Sequence, residues 1–245
     1  MSDAAPPSST AAVIPAAGRG VRLGPGAPKA LRTLGGIPML IHAVRAMSAS
    51  RAVSLVVVVA PPDGVDGVRA LLDEYPAPER TEVLVVPGGE TRQDSVRHGL
   101  AALPDTVTTV LVHDAARPLV PVDTVDAVIE AVRDGAPAVV PAVPLADTVK
   151  EVEPRGDGAP EPVLGTPERA RLRAVQTPQG FDRDTLVRAH HEVTGEVTDD
   201  ASMVEQLGVQ VVAVPGHEEA FKVTRPLDLV LAEAVLARRR VNDGF

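Results

Sequence analysis

The chain has 245 residues, 44% of them apolar, with no cysteine and a formal net charge of −9. That length can bury one sizeable core as a single large α/β domain. The acidity argues against nucleic-acid and membrane-surface binding, which need basic faces, and the lack of cysteine rules out disulfides and thiolate zinc sites. No stretch has the form of a secretory leader, and none supplies the ~20 apolar residues of a membrane span, so a cytoplasmic location is expected.

Residues 1–10 (MSDAAPPSST) read as a disordered tail ahead of a single domain over 11–240. A short apolar strand at Ala12-Val13-Ile14 then enters a loop with Gly18, Gly20, Gly24 and Gly26 that also carries Arg19, Arg22 and Lys29. Glycines let backbone N–H groups approach a ligand, and fixed cations neutralise phosphate oxygens, so the loop reads as a phosphate cradle. Valine-rich runs at 53–60, 82–86, 108–113, 138–143 and 209–214 have the pattern of strands buried on both faces of a parallel sheet. Helical patterns lie at 38–49, 65–75, 91–103, 122–133, 183–192, 199–206 and 226–240. The alternation predicts a doubly wound, mostly parallel α/β fold with ligands at the carboxyl ends of the strands. Residues 144–175 break the rhythm. Two candidate strands, 146–152 and 162–165, flank the turn-rich EPRGDGAPEP and predict a projecting β-hairpin arm, either an active-site cover or an oligomer contact.

Three chemistries use a glycine-rich loop after a first strand. A P-loop needs Gly-Lys before Ser or Thr, but Lys29 follows Pro28 and precedes Ala30. A dinucleotide fingerprint needs a third glycine where Leu23 stands, and an acid at the end of a second strand that here ends in Ala60-Pro61-Pro62. The nucleotidyltransferase pattern of strand, long glycine-rich loop with an arginine, then Pro-Lys and a helix fits Pro15-Ala16-Ala17-Gly18, Arg22 and Pro28-Lys29. A flexible loop with incidental charges stays open beside it. Lysine is scarce, with three (Lys29, Lys150, Lys222) against 21 arginines, which favours a specific use for each ammonium. By themselves, Asp114 equally caps a turn, Arg169 in ERARLR equally sits on a surface, and Thr198-Asp199-Asp200 equally begins a helix.

Seven ordered motifs together resemble the 2-C-methyl-D-erythritol 4-phosphate cytidylyltransferases of the non-mevalonate isoprenoid pathway. They are PAAGRGVRLGPGAPK (15–29), PGGETRQDSVRHGL (87–100), VHDAARP (112–118), ADTVK (146–150), QTPQGF (176–181), TDDASMVE (198–205) and FKVTRPLDL (221–229). Ala30 and Glu90 depart from the Gln and Asp frequent in that family. The resemblance implies cytidylyl transfer from CTP to the sugar-alcohol phosphate with magnesium. It implies triphosphate binding around Ala16, Ala17, Gly18 and Gly20, and cytosine reading by Gly89, Glu90 and Ser95. Arg22 and Lys29 match transition-state stabilisers, and Arg169 and Lys222 match residues that position the acceptor phosphate. Asp114 matches an aspartate near magnesium and the acceptor hydroxyls, while Arg117, Thr148, Thr177 and Thr198 match further acceptor contacts. A homodimer clasped by the arms, with shared sites, is implied too; another polyol phosphate such as ribitol 5-phosphate is the alternative acceptor. His113 reads as a strand-end packing or hydrogen-bonding residue.

Overall fold

The computed structural model describes residues 9–18, 28–156, 158–195 and 197–242. Eight strands form the main sheet: β1 (Ser9–Pro15), β4 (Val53–Ala60), β5 (Glu82–Pro87), β6 (Val107–Val112), β7 (Ala138–Pro144), β10 (Arg173–Val175), β11 (Gln179–Asp182) and β12 (Val211–Pro215). Two small hairpins add β2 (Thr33–Leu34) with β3 (Ile37–Pro38), and β8 (Glu151–Val152) with β9 (Val163–Gly165). The helices are α1 (Met39–Ala49), α2 (Val65–Glu74), α3 (Arg92–Ala101), α4 (Val122–Arg133), α5 (Arg183–Glu192), α6 (Asp200–Gln206) and α7 (Pro226–Asn242).

β1 lies at the centre, parallel to β4 on one side and β6 on the other, and β5 extends the parallel run beyond β4. β12 runs parallel to β7. Between β6 and β7 sits β11, antiparallel to both, and β10 runs ahead of it along β7, before the cis Thr177–Pro178 bond. The sheet is covered on both faces, so the strands carry apolar residues on both. Ala12 and Ile14 of β1, with Val56 and Val58 of β4, pack under α1, α2 and α4. Their neighbours Ala11, Val13, Val57 and Val59 pack under α3, α5 and α6. Alternation of side chains about a strand, combined with burial of each face, explains the unbroken valine runs.

Three departures from the sequence reading have physical causes. Ser9 and Thr10, assigned to the tail, begin β1: Ser9 Oγ donates to Thr106 O at 2.8 Å and the Thr10 hydroxyl accepts from Arg133 at 3.1 Å. The sequence cannot reveal those distant partners. Residues 173–175, assigned to the arm, rejoin the main sheet against β7, leaving the short β8–β9 hairpin as the projecting part. The β2–β3 hairpin was not foreseen, although its turn is Gly35-Gly36 with φ of 59° and 81°, the left-handed pair that a two-residue hairpin loop needs.

α3 lies close on the sheet because Gly99 faces β1; a Cβ there would stand 2.5 Å from Val13 Cγ1 and 3.1 Å from Val59 Cγ2. This matters beyond packing, since the first turn of α3 reaches the carboxyl edge of the sheet. Gly99→Val should therefore overpack the interface and cost about 2–3 kcal/mol, read as a lower urea midpoint. An unchanged midpoint would mean that the helix is free to lift.

Candidate active site

The carboxyl ends of β1, β5 and β6 open into one pocket. Ala16, Ala17 and Gly18 follow β1, Gly89 and Glu90 follow β5, and Asp114, Ala115 and Ala116 follow β6. Ala30 lines the same pocket, so both described flanks of the glycine-rich loop border it, and Lys222 joins from the C-terminal part of the chain. Gly20, Arg22 and the side chain of Lys29 lie outside the described residues; the Lys29 backbone starts a short 3-10 helix at Lys29–Leu31.

Ala16 N–H donates to Val59 O at 2.8 Å, and Gly88 N–H donates to Ala60 O at 2.7 Å, which tie the first and third loops to β4 between them. Ser95 is buried in α3. Its Oγ donates to Thr91 O at 3.0 Å and accepts the Gly89 N–H at 3.2 Å, setting the path of the Gly89-Glu90 turn. Thr91 caps α3 in a reciprocal box with Asp94, so Arg92 is the first residue of the helix and projects at the pocket.

Asp114 is the electrostatic centre. Lys222 Nζ lies 2.7 Å from its Oδ2, Arg92 Nη2 lies 3.6 Å from its Oδ1, and Arg117 Nε lies 3.9 Å from Oδ2. Burial alone would raise the Asp114 pKa, but the charges of Lys222 and Arg92, the Lys222 hydrogen bond and Arg117 outweigh it and hold the group at about 2. The carboxylate is ionised throughout the physiological range.

Lys222 is delivered by a fastened loop. Val223 N–H donates to Ala116 O at 2.8 Å, and the buried Val223 side chain packs with Leu34, Met39, Leu119 and Ala232. Glu219 pairs with Arg238 and Arg239 of α7, and Arg239 also donates to Leu119 O at 2.6 Å. Gln176 holds His217 through both of its amide atoms.

A hydrogen-bond chain sets the backbone of Asp114. Its N–H donates to Thr177 Oγ1 at 3.0 Å, and the Thr177 hydroxyl faces His113 Nδ1 at 3.1 Å. His113 Nε2 faces Arg117 O at 3.2 Å. A carbonyl only accepts, so Nε2 carries the proton and Nδ1 accepts from Thr177, an arrangement that requires neutral imidazole. Complete burial lowers the His113 pKa to about 4, against smaller opposing effects, the largest being the Asp114 charge. The histidine thus has the hydrogen-bonding role expected of it.

Residues 10–238 match the profile of the family described as IspD, 2-C-methyl-D-erythritol 4-phosphate cytidylyltransferase. The chain belongs to that cytidylyltransferase family. A relative of that name from Streptomyces avermitilis is 80% identical with both chains fully covered. Another from Frankia casuarinae is 59% identical over 93% of this chain and 81% of its own. Among solved structures, the Thermus thermophilus 2-C-methyl-D-erythritol 4-phosphate cytidylyltransferase superposes with a TM-score of 0.72 at 36% identity, covering 94% of this chain and 99% of its own. The 4-diphosphocytidyl-2C-methyl-D-erythritol synthase of Anaerococcus prevotii gives 0.79 at 28%, with the same coverage.

The remaining positions matched to this cytidylyltransferase family fall in two groups. Arg117 and Thr177 lie beneath the pocket wall. The Arg117 Nη groups donate to Ala220 O at 2.7 Å and Val175 O at 3.2 Å, which holds the Lys222 loop against β10. Thr148 and Arg169 lie in the arm region, both exposed, and Arg169 donates to Ala146 O; neither is among the pocket-lining residues, nor is the exposed Thr198 before α6. Arg92 was missed as a site residue. Its signal was present in the TRQDSV segment: Thr three residues before Asp marks a helix N-cap, and the residue after a cap at a strand's carboxyl edge faces the ligand side.

His113 predicts an acid response. Its folded pKa lies below the unfolded value of 6.5, so the unfolded chain takes up the proton first. Stability from this group is complete above pH 6.5 and falls as pH drops toward 4, by about 3 kcal/mol in full. Between pH 7 and 4.5 the wild type should lose about 2–3 kcal/mol more than His113→Gln in urea unfolding. Equal losses would remove His113 from the acid response.

Proposed function

We propose that the pocket transfers the cytidylyl group of CTP to 2-C-methyl-D-erythritol 4-phosphate, releasing pyrophosphate and giving 4-diphosphocytidyl-2-C-methyl-D-erythritol for isoprenoid precursors. The observation that carries this reading is the meeting of Lys222 with the flanks of the glycine-rich loop, Gly18 and Ala30, around the ionised Asp114. An acidic chain has concentrated cations where a triphosphate and a second phosphate would otherwise repel each other.

The acceptor phosphate is its own nucleophile, since a second pKa near 6 leaves it mostly dianionic at neutral pH. One of its oxygens forms the new bond to the α-phosphorus while the bond from that phosphorus to the bridging oxygen breaks, and pyrophosphate leaves. Catalysis then consists of positioning and charge neutralisation. Ala16, Ala17, Gly18 and Gly20 hold the triphosphate, and Gly89, Glu90 and Ser95 read the cytosine. Arg22 and Lys29 take the charge developing at the α-phosphate and the leaving group. Lys222 and Arg169 fix the incoming phosphate, and Asp114, with Arg117, Thr148, Thr177 and Thr198, orders the acceptor side.

Magnesium fits this donor set as a companion of the triphosphate. The ion keeps most of its waters and needs one or two carboxylates beside substrate phosphates. Asp114 supplies one ionised carboxylate, and no cluster of three acidic or histidine ligands occurs among the described residues. When bound it supplies neutralisation of phosphate charge.

We also take the arm as a homodimer contact. Val163 and Leu164 on it are 59% and 63% exposed, and the hairpin has no core of its own, which supports burial against a second copy. Arg169 and Thr148, outside the pocket of their own chain, then serve the neighbour. No described helix is long and apolar enough to cross a membrane, and the net charge of −9 gives nucleic acid no basic face.

Pyrophosphate release with CTP and methylerythritol phosphate should be strong, stop on chelation of magnesium, and fall steeply when ribitol 5-phosphate replaces the acceptor. Preference for ribitol phosphate would overturn the substrate. Lys29→Ala should lower kcat on the order of 100-fold with the fold intact; near-normal turnover would remove Lys29 from the mechanism. Mixed inactive Lys29→Ala and Arg169→Ala chains should recover part of the activity, whereas a mixture that stays inactive counts against sites shared between subunits.

A further inference from the structure

Behind the pocket wall lies a buried charge relay that the proposed mechanism does not use. Asp200 begins α6 with its side chain only 1% exposed. Its Oδ2 accepts from Arg92 Nη1 at 2.7 Å, and its Oδ1 lies 3.0 Å from His190 Nε2 of α5. His190 is itself buried, and its Nδ1 has no hydrogen-bond partner among the described residues, so the ring's one side-chain bond is to Asp200. Gln179 of β11 fixes the same helix end: it donates to Asp199 Oδ2 at 2.7 Å and accepts from Ala201 N–H at 3.1 Å.

Two elements, α3 and α5, thus meet at one carboxylate, β11 fixes the helix end that carries it, and that carboxylate holds one guanidinium. Arg92 is 38% exposed and lines the pocket, and its Nη2 stands 3.6 Å from Asp114, outside hydrogen-bond range. Its pocket-side N–H groups remain uncommitted among the described residues. Asp114 and Asp200 face three cations, Arg92, Arg117 and Lys222, and Glu90 lines the pocket beside them. The Asp200 hydrogen bond engages Arg92 Nη1, while Nη2 stays 3.6 Å from Asp114.

We infer that Asp200, braced by His190, is a positioning residue that holds the Arg92 guanidinium open toward the phosphates of the bound nucleotide. Arg92 is thereby a nucleotide-binding residue of the pocket, contributing a guanidinium fork from the first turn of α3. The inference rests on the pocket being the CTP site.

A double-mutant cycle tests it. Binding of CTP with magnesium is measured by calorimetry for wild type, Arg92→Ala, Asp200→Asn and the double variant, together with both Michaelis constants and melting temperatures. Arg92→Ala should weaken CTP binding on the order of tenfold, the weight of a hydrogen bond to a charged group. Asp200→Asn should weaken it about fivefold in the wild-type background and less than about twofold once Arg92 is alanine, with KM for the acceptor unchanged. Equal effects of Asp200→Asn with and without Arg92, or a lowered melting temperature with CTP affinity intact, would overturn the positioning role. Should Asp200→Asn not fold, His190→Gln in the same cycle reads the same coupling to Arg92. Failure of the wild type to bind CTP would instead overturn the reading of the pocket itself.

Discussion

Most of the site depends on keeping a largely buried carboxylate, Asp114, ionised. Moving such a group out of water costs several kcal/mol unless opposite charge and hydrogen bonds replace the solvent. Here the replacement comes from Arg117, three residues on in the turn after β6, and from two distant stretches of chain, with Arg92 at the start of α3 and Lys222 on the segment before α7. Two of these cations, Arg92 and Lys222, also line the pocket, whereas Arg117 lies beneath its wall.

The framework places these groups with little freedom. Asp114 follows a β6 strand clamped between β1 and the antiparallel β11, and its amide is held through Thr177 to a neutral histidine. The Lys222 loop is fastened on three sides, by Gln176 at His217, by Ala116 at Val223, and by α7 through Glu219. α3 sits low on the sheet because Gly99 leaves room for Val13 and Val59, which brings Arg92 and Ser95 to the carboxyl edge. Rigid supports of this kind suit a reaction whose catalysis is alignment and charge neutralisation.

The parts of the fold that could be read from the chain are those governed by local period. Valine runs at 53–60 and 138–143, and helices at 122–133 and 183–192, announce themselves because both-face burial and the 3.6-residue repeat write directly into sequence. β11 did not. Gln179-Gly180-Phe181-Asp182 has neither alternation nor an apolar run, and it is a strand because β6 and β7 leave an antiparallel slot between them. Gly180 is required in that slot, where a Cβ would meet Val128 Cγ1 at 2.4 Å. The loop cations and Lys222 could be nominated from motif and from lysine scarcity, whereas Arg92 carries only the helix-start signal of Thr91 and Asp94.

By itself, then, the amino-acid order determined the strand–helix alternation, the glycine-rich loop after the first strand and the family, because each is recorded in neighbouring residues. Only the tertiary structure decided that Asp114 would be shared by Arg92, Arg117 and Lys222, that His113 would be neutral, and that Asp200 and His190 would stand behind the pocket. Electrostatic pairing and burial are set by separation in space. Residues more than a hundred positions apart, such as Arg92 and Lys222, become neighbours only once the sheet has brought its loops to one edge.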